Sequence, residues 1–580
     1  MRLSVLLLAL VGCNDGRLVA TGTSDAPTAL PDGAMTATVD GAVDGPSGVV
    51  GGAPRLIAPM STSTVTQRRP TLRWTGGTAA PVVDLCRDRA CAQPLAVNVE
   101  IAPNLTSAKV MDDLPPGWVF WRVHTGSDVT ATWQFFVGPN SASTAVDTSY
   151  GHTLDVNGDG YGDFVVGAQP SSYLYLGGPN GASPQAIELA SGSNAPISDA
   201  LIDVGDVNGD GYSDFWIEPH LFLGGPSTDG AIWSGDHAPN RLDWFFTYGY
   251  NVKGIGDVNG DGYSDLWISE GGAGYVWFGA ATPTPAFAFT VTLVDSATSP
   301  QDPNYLHYAD AANAGDVNGD GYADFVVGAI PSESDATSAY AFLYLGNAAP
   351  SAADWSAPTS PHRIDLPSPD STVEYAGYFG IAVSSAGDFN GDGYSDFAVG
   401  AMDASAAHIY FGASDPASAD WNSTAHAQRI DISGGSSIGQ LGIALVPAGD
   451  VNGDGLSDLL IGAINNLSLE SYGGAMLYLG SAQPSNAIWN GASPPNRVQL
   501  VTPHGPYGYF GWTVASAGDA DGDGYSDFLC AATGVNMAHF YRGEATPDAT
   551  HYNGVTPPAL RVDLTSPSQS SFFGSLGMAH

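Results

Sequence analysis

The run "GDVNGDGYSD" (Gly205–Asp214) returns throughout this chain. It recurs at Gly256–Asp265 in identical form, then as "GDVNGDGYAD" (Gly315–Asp324), "GDFNGDGYSD" (Gly387–Asp396), "GDVNGDGLSD" (Gly449–Asp458) and "GDADGDGYSD" (Gly518–Asp527). A first copy, "LDVNGDGYGD" (Leu154–Asp163), has Leu where the others have Gly. A sevenfold repeat dictates a modular architecture, because one unit cannot bury its own apolar face and neighbours must stack to do so. The first Asp of each copy falls at 155, 206, 257, 316, 388, 450 and 519. Variable spacing around a constant motif implies loops of variable length on a fixed unit.

Four strand-like runs surround the motif. In the fifth unit they are Tyr378–Gly387, which leads into the acidic loop, Asp396–Ala401, which leaves it, Ala407–Ala413 and Gln428–Ser433. The sixth unit repeats this order. Seven units of four short strands predict a β-propeller, with a parallel β-helix as the alternative. "FG" (Phe379–Gly380, Phe510–Gly511), the acidic loop and "VGA" (Val399–Ala401) together resemble the FG-GAP repeat of integrin α-subunit propellers. The resemblance spans about 430 of 580 residues, with "IEP" and "ISE" replacing "VGA" in copies two and three. It implies a seven-bladed propeller and a non-catalytic binding or adhesion role at a cell surface. Copy one lacks an entering strand ("SYGHTLD"), while "FFGSLGMAH" (Phe572–His580) is an entering strand with no loop after it. The C-terminus is therefore expected to supply the entering strand of blade one and remove two sheet edges. A truncated eighth repeat is the alternative.

The loop reads D-x-N-x-D-G-x-x-D. Its first six positions match the start of an EF-hand calcium loop, where side chains at positions 1, 3 and 5 supply oxygens and Gly takes the turn at 6. It closes with Asp at position 9 rather than Glu at 12, which places it between strands. The expected ligands, with the backbone carbonyl of position 7, are Asp155, Asn157, Asp159, Tyr161 and Asp163 in loop one, and Asp206, Asn208, Asp210, Tyr212 and Asp214 in loop two. Loop three offers Asp257, Asn259, Asp261, Tyr263 and Asp265; loop four offers Asp316, Asn318, Asp320, Tyr322 and Asp324. Loop five offers Asp388, Asn390, Asp392, Tyr394 and Asp396; loop six offers Asp450, Asn452, Asp454, Leu456 and Asp458. Loop seven offers Asp519, Asp521, Asp523, Tyr525 and Asp527. All are hard oxygens, which favours Ca²⁺, about seven ions in a structural role, over Mg²⁺, zinc or copper. The alternative is an Asp/Asn/Gly turn bonded to itself.

Charge supports the metal. The formal net charge is -42, from 59 acidic residues against 17 Lys and Arg. Of the acids, 22 sit in the seven motifs, and clustered carboxylates need neutralising. The same field disfavours nucleic acid and anionic membrane surfaces as partners.

The N-terminus "MRLSVLLLALVGC" carries one basic residue and an apolar run too short to span a bilayer. "LVGC" (Leu10–Cys13) resembles a bacterial lipobox, which implies a signal peptide over 1–12, cleavage before Cys13 and its lipidation. A plain secretory signal is the alternative. The expected location is the outer membrane or cell surface, lipid-anchored, or else secreted or periplasmic. Residues 13–53 read as a flexible acidic tether. Residues 54–138 hold short strand-like runs with Trp74, Trp121 and Trp133 as core aromatics, and resemble an immunoglobulin or fibronectin III-like β-sandwich. The propeller covers 150–580. Cys86 and Cys91, in "CRDRAC", are expected to form a local disulfide, with a metal site as the alternative; Cys530 reads as a buried small hydrophobe. The fold class is thus all-β.

No GxSxG, HExxH, P-loop or strand-linked GxGxxG occurs. His152, His220, His307 and His504 are scattered. Trp355, Trp421 and Trp489 could stack on sugars or pack between blades. The expected protein is a non-catalytic, monomeric surface module that binds a protein or glycan. A polysaccharide lyase or hydrolase, or a lectin, on the same scaffold is the alternative, although so few basic residues make a lyase base hard to place.

Overall fold

The chain's alternating and β-branched runs, cut by Gly, Asp and Asn, form short strands throughout. The computed structural model describes residues 53–576 except 78, 144–145, 169–170, 184, 190–200, 234–237, 244–250, 271–272, 285, 293–305, 332–338, 370–376, 423–427, 435–438, 465–472, 491–493, 502–508 and 566–574. The signal segment, Cys13, nearly all of the tether and the histidine at 504 lie outside the described residues, as does the side chain at 307.

Two sheets pack face to face near the N-terminus. One orders its strands Arg55–Ala58, Thr71–Thr75, Ser107–Val110, Val99–Ile101. The other runs Thr64–Val65, Trp133–Val137, Gly117–Thr125, Pro81–Cys86. Trp74, Trp121 and Trp133 are buried between them with Leu72, Val110 and Phe135. Cys86 and Cys91 are bonded to each other. This unit reaches further than residue 138, because Ser149–Tyr150 pairs with Thr64–Val65. Tyr150, placed from sequence at the start of the repeat region, pairs into this second sheet.

Among the described residues seven four-stranded antiparallel sheets follow, six of them simple meanders. The fifth is Phe379–Gly387, Asp396–Ala401, Ala406–Tyr410 and Arg429–Ser433. The first is assembled from both ends of the region: Phe164–Gly167 pairs on one side with Ser172–Tyr175 and on the other with the C-terminal strand Ser575–Leu576. Seven apolar clusters each straddle two consecutive sheets. Sheet four meets sheet five through Val326, Leu343, Phe397 and Tyr410, and sheet seven meets sheet one through Leu529, Phe540, Phe164 and Tyr175. The architecture is all-β and propeller-like, with the core held between sheets rather than inside them.

One-turn helices too short to show a sequence period interrupt three of the links between third and fourth strands: Ala352–Ser356, Asn486–Trp489 and Ala549–Tyr552. They carry Trp355, Trp489 and Tyr552 into the core, each 0% exposed; Trp421, on the equivalent link, is 1% exposed. These tryptophans pack between sheets and are not available to a sugar. The Nε1 of Trp355, Trp421 and Trp489 donates to Leu345, Phe411 and Leu479 carbonyls.

Candidate metal centre

In sheets two to seven the acidic loop joins the first and second strands; loop one leads into Phe164–Gly167, whose partner on that side is the C-terminal strand. The position-9 Asp is the first residue of the second strand in six sheets (Asp214, Asp265, Asp324, Asp396, Asp458, Asp527), so the sheet itself sets its place. Both oxygens of each position-9 carboxylate are held by backbone donors. Oδ2 accepts from the position-2 N–H of its own loop in all seven loops. Oδ1 accepts from a Gly N–H just beyond the third strand, again in all seven. In loop two the donors are Val207 at 2.9 Å and Gly224 at 2.8 Å; in loop seven, Ala520 at 3.0 Å and Gly543 at 2.9 Å. That Gly (177, 224, 279, 346, 412, 480, 543) ends each "YLG"-like run and was legible as part of the repeat. Reading only the acidic motif missed it.

The remaining groups fold the loop inward. Oδ2 of position 1 accepts from the Gly N–H at position 6, as Asp206 does from Gly211 at 2.7 Å. Oδ1 of position 5 accepts from the position-7 N–H, as Asp210 does from Tyr212 at 3.1 Å. In loops one to six the position-3 Asn donates Nδ2 to the second oxygen of position 5, as in Asn208 to Asp210 at 3.0 Å. Loop seven has Asp521 there and cannot. One oxygen each of Asp519, Asp521 and Asp527 lie within 4.8 Å of one another, the one such trio of acidic, His or Cys ligand atoms among the described residues. In the other loops the three carboxylates do not converge so closely, and the position-3 Asn Oδ1 accepts from the position-5 N–H, as Asn208 does from Asp210 at 3.0 Å.

Burial dominates the electrostatics. The position-9 Asp is at most 1% exposed in every loop. Burial, opposed by the two backbone N–H bonds, pushes all seven well above the usual carboxylate range. Burial first, then the charge of Asp210, raises Asp206 to about 8. Asp257, Asp316, Asp388 and Asp450 are raised to about 7, and Asp155 and Asp519 to about 6, burial again being the main cause. Oδ1 of Asp388 is buried without a hydrogen-bond partner. Such groups reach neutrality through a proton or a cation.

The loops also bond to each other. The position-8 N–H of each loop donates to the position-1 carbonyl of the loop before it, from Ser213 to Asp155 through Ser526 to Asp450, and Gly162 of loop one donates to Asp519 of loop seven. A second series runs from the residue after each third-strand Gly to the preceding loop's position-2 carbonyl, including Gly178 to Ala520. Both series return from the seventh loop to the first.

Residues 155–217 match the FG-GAP-like repeat family, and residues 309–341 and 379–414 match the FG-GAP repeat. The chain is similar to integrin alpha-V of Gallus gallus, at 28% identity over 42% of this chain and 21% of that one. It is similar to integrin alpha-PS3 of Drosophila melanogaster, at 30% over 28% and 14%, and to integrin alpha-5 of Xenopus laevis, at 27% over 45% and 23%. It thus spans under a quarter of these relatives' lengths. A DUF4784 family protein from Bacteroides caccae aligns over 88% of this chain and 97% of its own, at 8% identity and a TM-score of 0.25. A rhamnogalacturonan lyase aligns over 91% and 70%, at 12% and 0.17. Those scores are too low to bear on fold or function. The chain carries FG-GAP repeats and is integrin α-like over that region.

Proposed function

We propose that this FG-GAP protein is a non-catalytic surface-binding module: a closed seven-bladed propeller stiffened by about seven Ca²⁺ ions, preceded by an immunoglobulin-like sandwich. The observation that carries this reading is the sevenfold set of buried, inward-folded carboxylates. In each loop the aspartates at positions 1, 5 and 9, the Asn or Asp at position 3 and the carbonyl at position 7 would hold the ion. That all-oxygen donor set suits Ca²⁺. A bound ion supplies the charge neutralisation that the buried acids lack. The fourteen loop-to-loop bonds and the strand Ser575–Leu576 support closure of the ring. The sandwich's strand orders correspond to the ABED and CFG sheets of an immunoglobulin domain.

The basic residues argue for binding rather than catalysis. Seven Lys and Arg lie between residues 151 and 580. Arg241, Lys253, Arg363, Arg429, Arg542 and Arg561 pair with Asp243, Asp310, Asp365, Asp431, Asp521 and Asp563. Arg497 lies directly across from Tyr478 in the strand pairing. A lyase base poised over a substrate carboxylate has no spare cation to use. The partner is a protein or glycan, and lipid on Cys13 would hold the module at the outer membrane or cell surface. No described helix is long and apolar enough to cross a membrane. A glycan and extracellular-protein array probed in calcium and in chelator tests the reading: calcium-dependent capture without turnover is expected, and release of cleaved product from a hit would overturn it.

A further inference from the structure

The sandwich and its linker sit on the face of the ring that carries the acidic loops. Arg89, at the tip of the loop closed by Cys86 and Cys91, enters between loops one and two. Its Nε donates to Gly158 O at 3.1 Å and its Nη2 to Gly211 O at 2.5 Å, while the guanidinium stacks 4.1 Å from the Tyr212 ring. Arg55 stacks on Tyr263 of loop three at 4.6 Å, and Arg73 donates to Gly321 O of loop four at 3.1 Å. Trp133 Nε1 reaches Gly209 O at 3.2 Å. Thr148 Oγ1 reaches Gly393 O of loop five at 2.6 Å, and Asn140 Nδ2 reaches Asp454 O of loop six at 2.5 Å.

These acceptors belong to a particular set of peptides. The peptide whose carbonyl is Gly211 O has the N–H of Tyr212, which donates inward to Asp210 Oδ1. The one whose carbonyl is Gly209 O has the N–H of Asp210, which donates inward to Asp206 Oδ1 at 3.1 Å. Loop four repeats the pattern: Gly321 O faces Arg73, and Tyr322 N–H faces Asp320 Oδ1 at 3.0 Å. A rigid peptide plane thus links Asp206, Asp210 and Asp320 inside their loops to the sandwich outside.

We propose that the sandwich is a cap whose docking is linked to cation loading of the loops it covers. The proposal rests on the metal reading above. When the carboxylates are neutralised they hold the position-5 and position-7 N–H groups inward, and the same peptides then aim their carbonyls at Arg73, Arg89 and Trp133. When the carboxylates repel one another the planes turn and the seats are lost. Linkage is reciprocal, so a docked cap raises cation affinity by the factor by which cations favour docking.

The test is small-angle X-ray scattering of the full chain in excess calcium and in excess chelator, at a temperature where circular dichroism shows the strands intact. The triple variant Arg55→Lys, Arg73→Lys, Arg89→Lys runs alongside; it keeps the charge and loses the planar fork. The wild type is expected to be compact in calcium and to show a larger radius of gyration in chelator. The variant is expected to be extended in both, with its half-saturating calcium concentration raised. A wild type that stays compact in chelator while its melting temperature falls overturns the linkage and leaves the metal reading standing. Chelator that alters neither melting nor shape removes the metal reading itself. A variant as compact as the wild type shows that the arginines are not the seat.

Discussion

The Gly that opens six of the seven motifs has a steric task. Gly315 sits at φ +75°, and a Cβ there would lie 2.4 Å from Ser395 Oγ of the next loop. Gly205, Gly387 and Gly449 meet the position-8 Ser of the following loop in the same way. Gly315→Ala should therefore cost about 1–3 kcal/mol in denaturant melts, from a left-handed backbone and a clash against a neighbouring sheet. Loop one has Leu154 instead. Its upstream residues do not form an entering strand: Tyr150, His152 and Thr153 lie against the glycines that lead into loops two, four, five and seven. His152 is buried there, 3.1 Å from Asn313 Nδ2 through Nε2, and burial holds its imidazole down at about 4. The unfolded chain takes up this proton near pH 6.5 and the folded chain does so near 4. The group's contribution is therefore complete above pH 6.5 and is lost as pH falls through 4, about 3 kcal/mol in all. His152→Gln should flatten the stability profile between those values relative to wild type, measured by urea unfolding at stepped pH. A second residue effect concerns Asp521. Asp521→Asn restores the Asn-to-Asp bond of the other loops and removes one charge, so calcium titration should show weaker binding at loop seven. Unchanged affinity there would mean that the extra carboxylate takes no part.

In sheets two, four, five and seven the outer strand is fastened by a device absent from the acidic motif. Arg429 pairs with Asp431 at 2.7 Å and donates to the Trp421 carbonyl, and His408 Nδ1 meets Asp431 at 2.7 Å. Arg561, Asp563 and His539 repeat the arrangement, and Arg363 with Asp365 keeps part of it. The pattern R-x-D on the fourth strand was present in the sequence, spaced like the loops, yet it reads as ordinary surface charge until the strand is known to be covered by the preceding Trp. Trp421 itself packs edge-on to Phe397 at 5.5 Å and within the cluster shared by sheets four and five. Trp421→Ala should cost about 3–5 kcal/mol by leaving a cavity between two sheets. A loss below about 1 kcal/mol in a denaturant titration would show that the sheets cohere without it.

At the scale of the molecule, seven loops bonded head to tail make the ring as strong as its weakest junction. The junction between sheets seven and one depends on the C-terminal strand Ser575–Leu576, which pairs with Phe164–Gly167. Deleting residues 575–580 exposes the edge of Phe164–Gly167 and should lower the melting temperature and promote self-association, read by calorimetry and light scattering. Cations act across every junction at once. At a concentration tenfold above its dissociation constant, each ion adds about 1.4 kcal/mol to folding. Seven independent sites would add about 10 kcal/mol, as much as an ordinary domain's whole stability. Excess chelator should thus depress the melting temperature steeply, and a melt that ignores chelator would contradict the metal reading.

The repeat alone pointed to an all-β, propeller-like chain, placed each acidic loop in the sequence and left two homes for the last strand, of which the structure has the first sheet. These follow from local patterns: alternation, Gly and Asp at fixed offsets, and an entering run with no loop after it. Tertiary structure decided that the sandwich rests on the acidic-loop face, that Tyr150–Thr153 lies among the loop glycines, and that loops bond to one another around the ring. The loop-to-loop bonds join residues 58 to 357 positions apart and end on backbone carbonyls, as do bonds from the sandwich such as Arg73 to Gly321 and Asn140 to Asp454. Every residue has a carbonyl, so no side-chain pattern announces which ones a distant arginine or amide will reach.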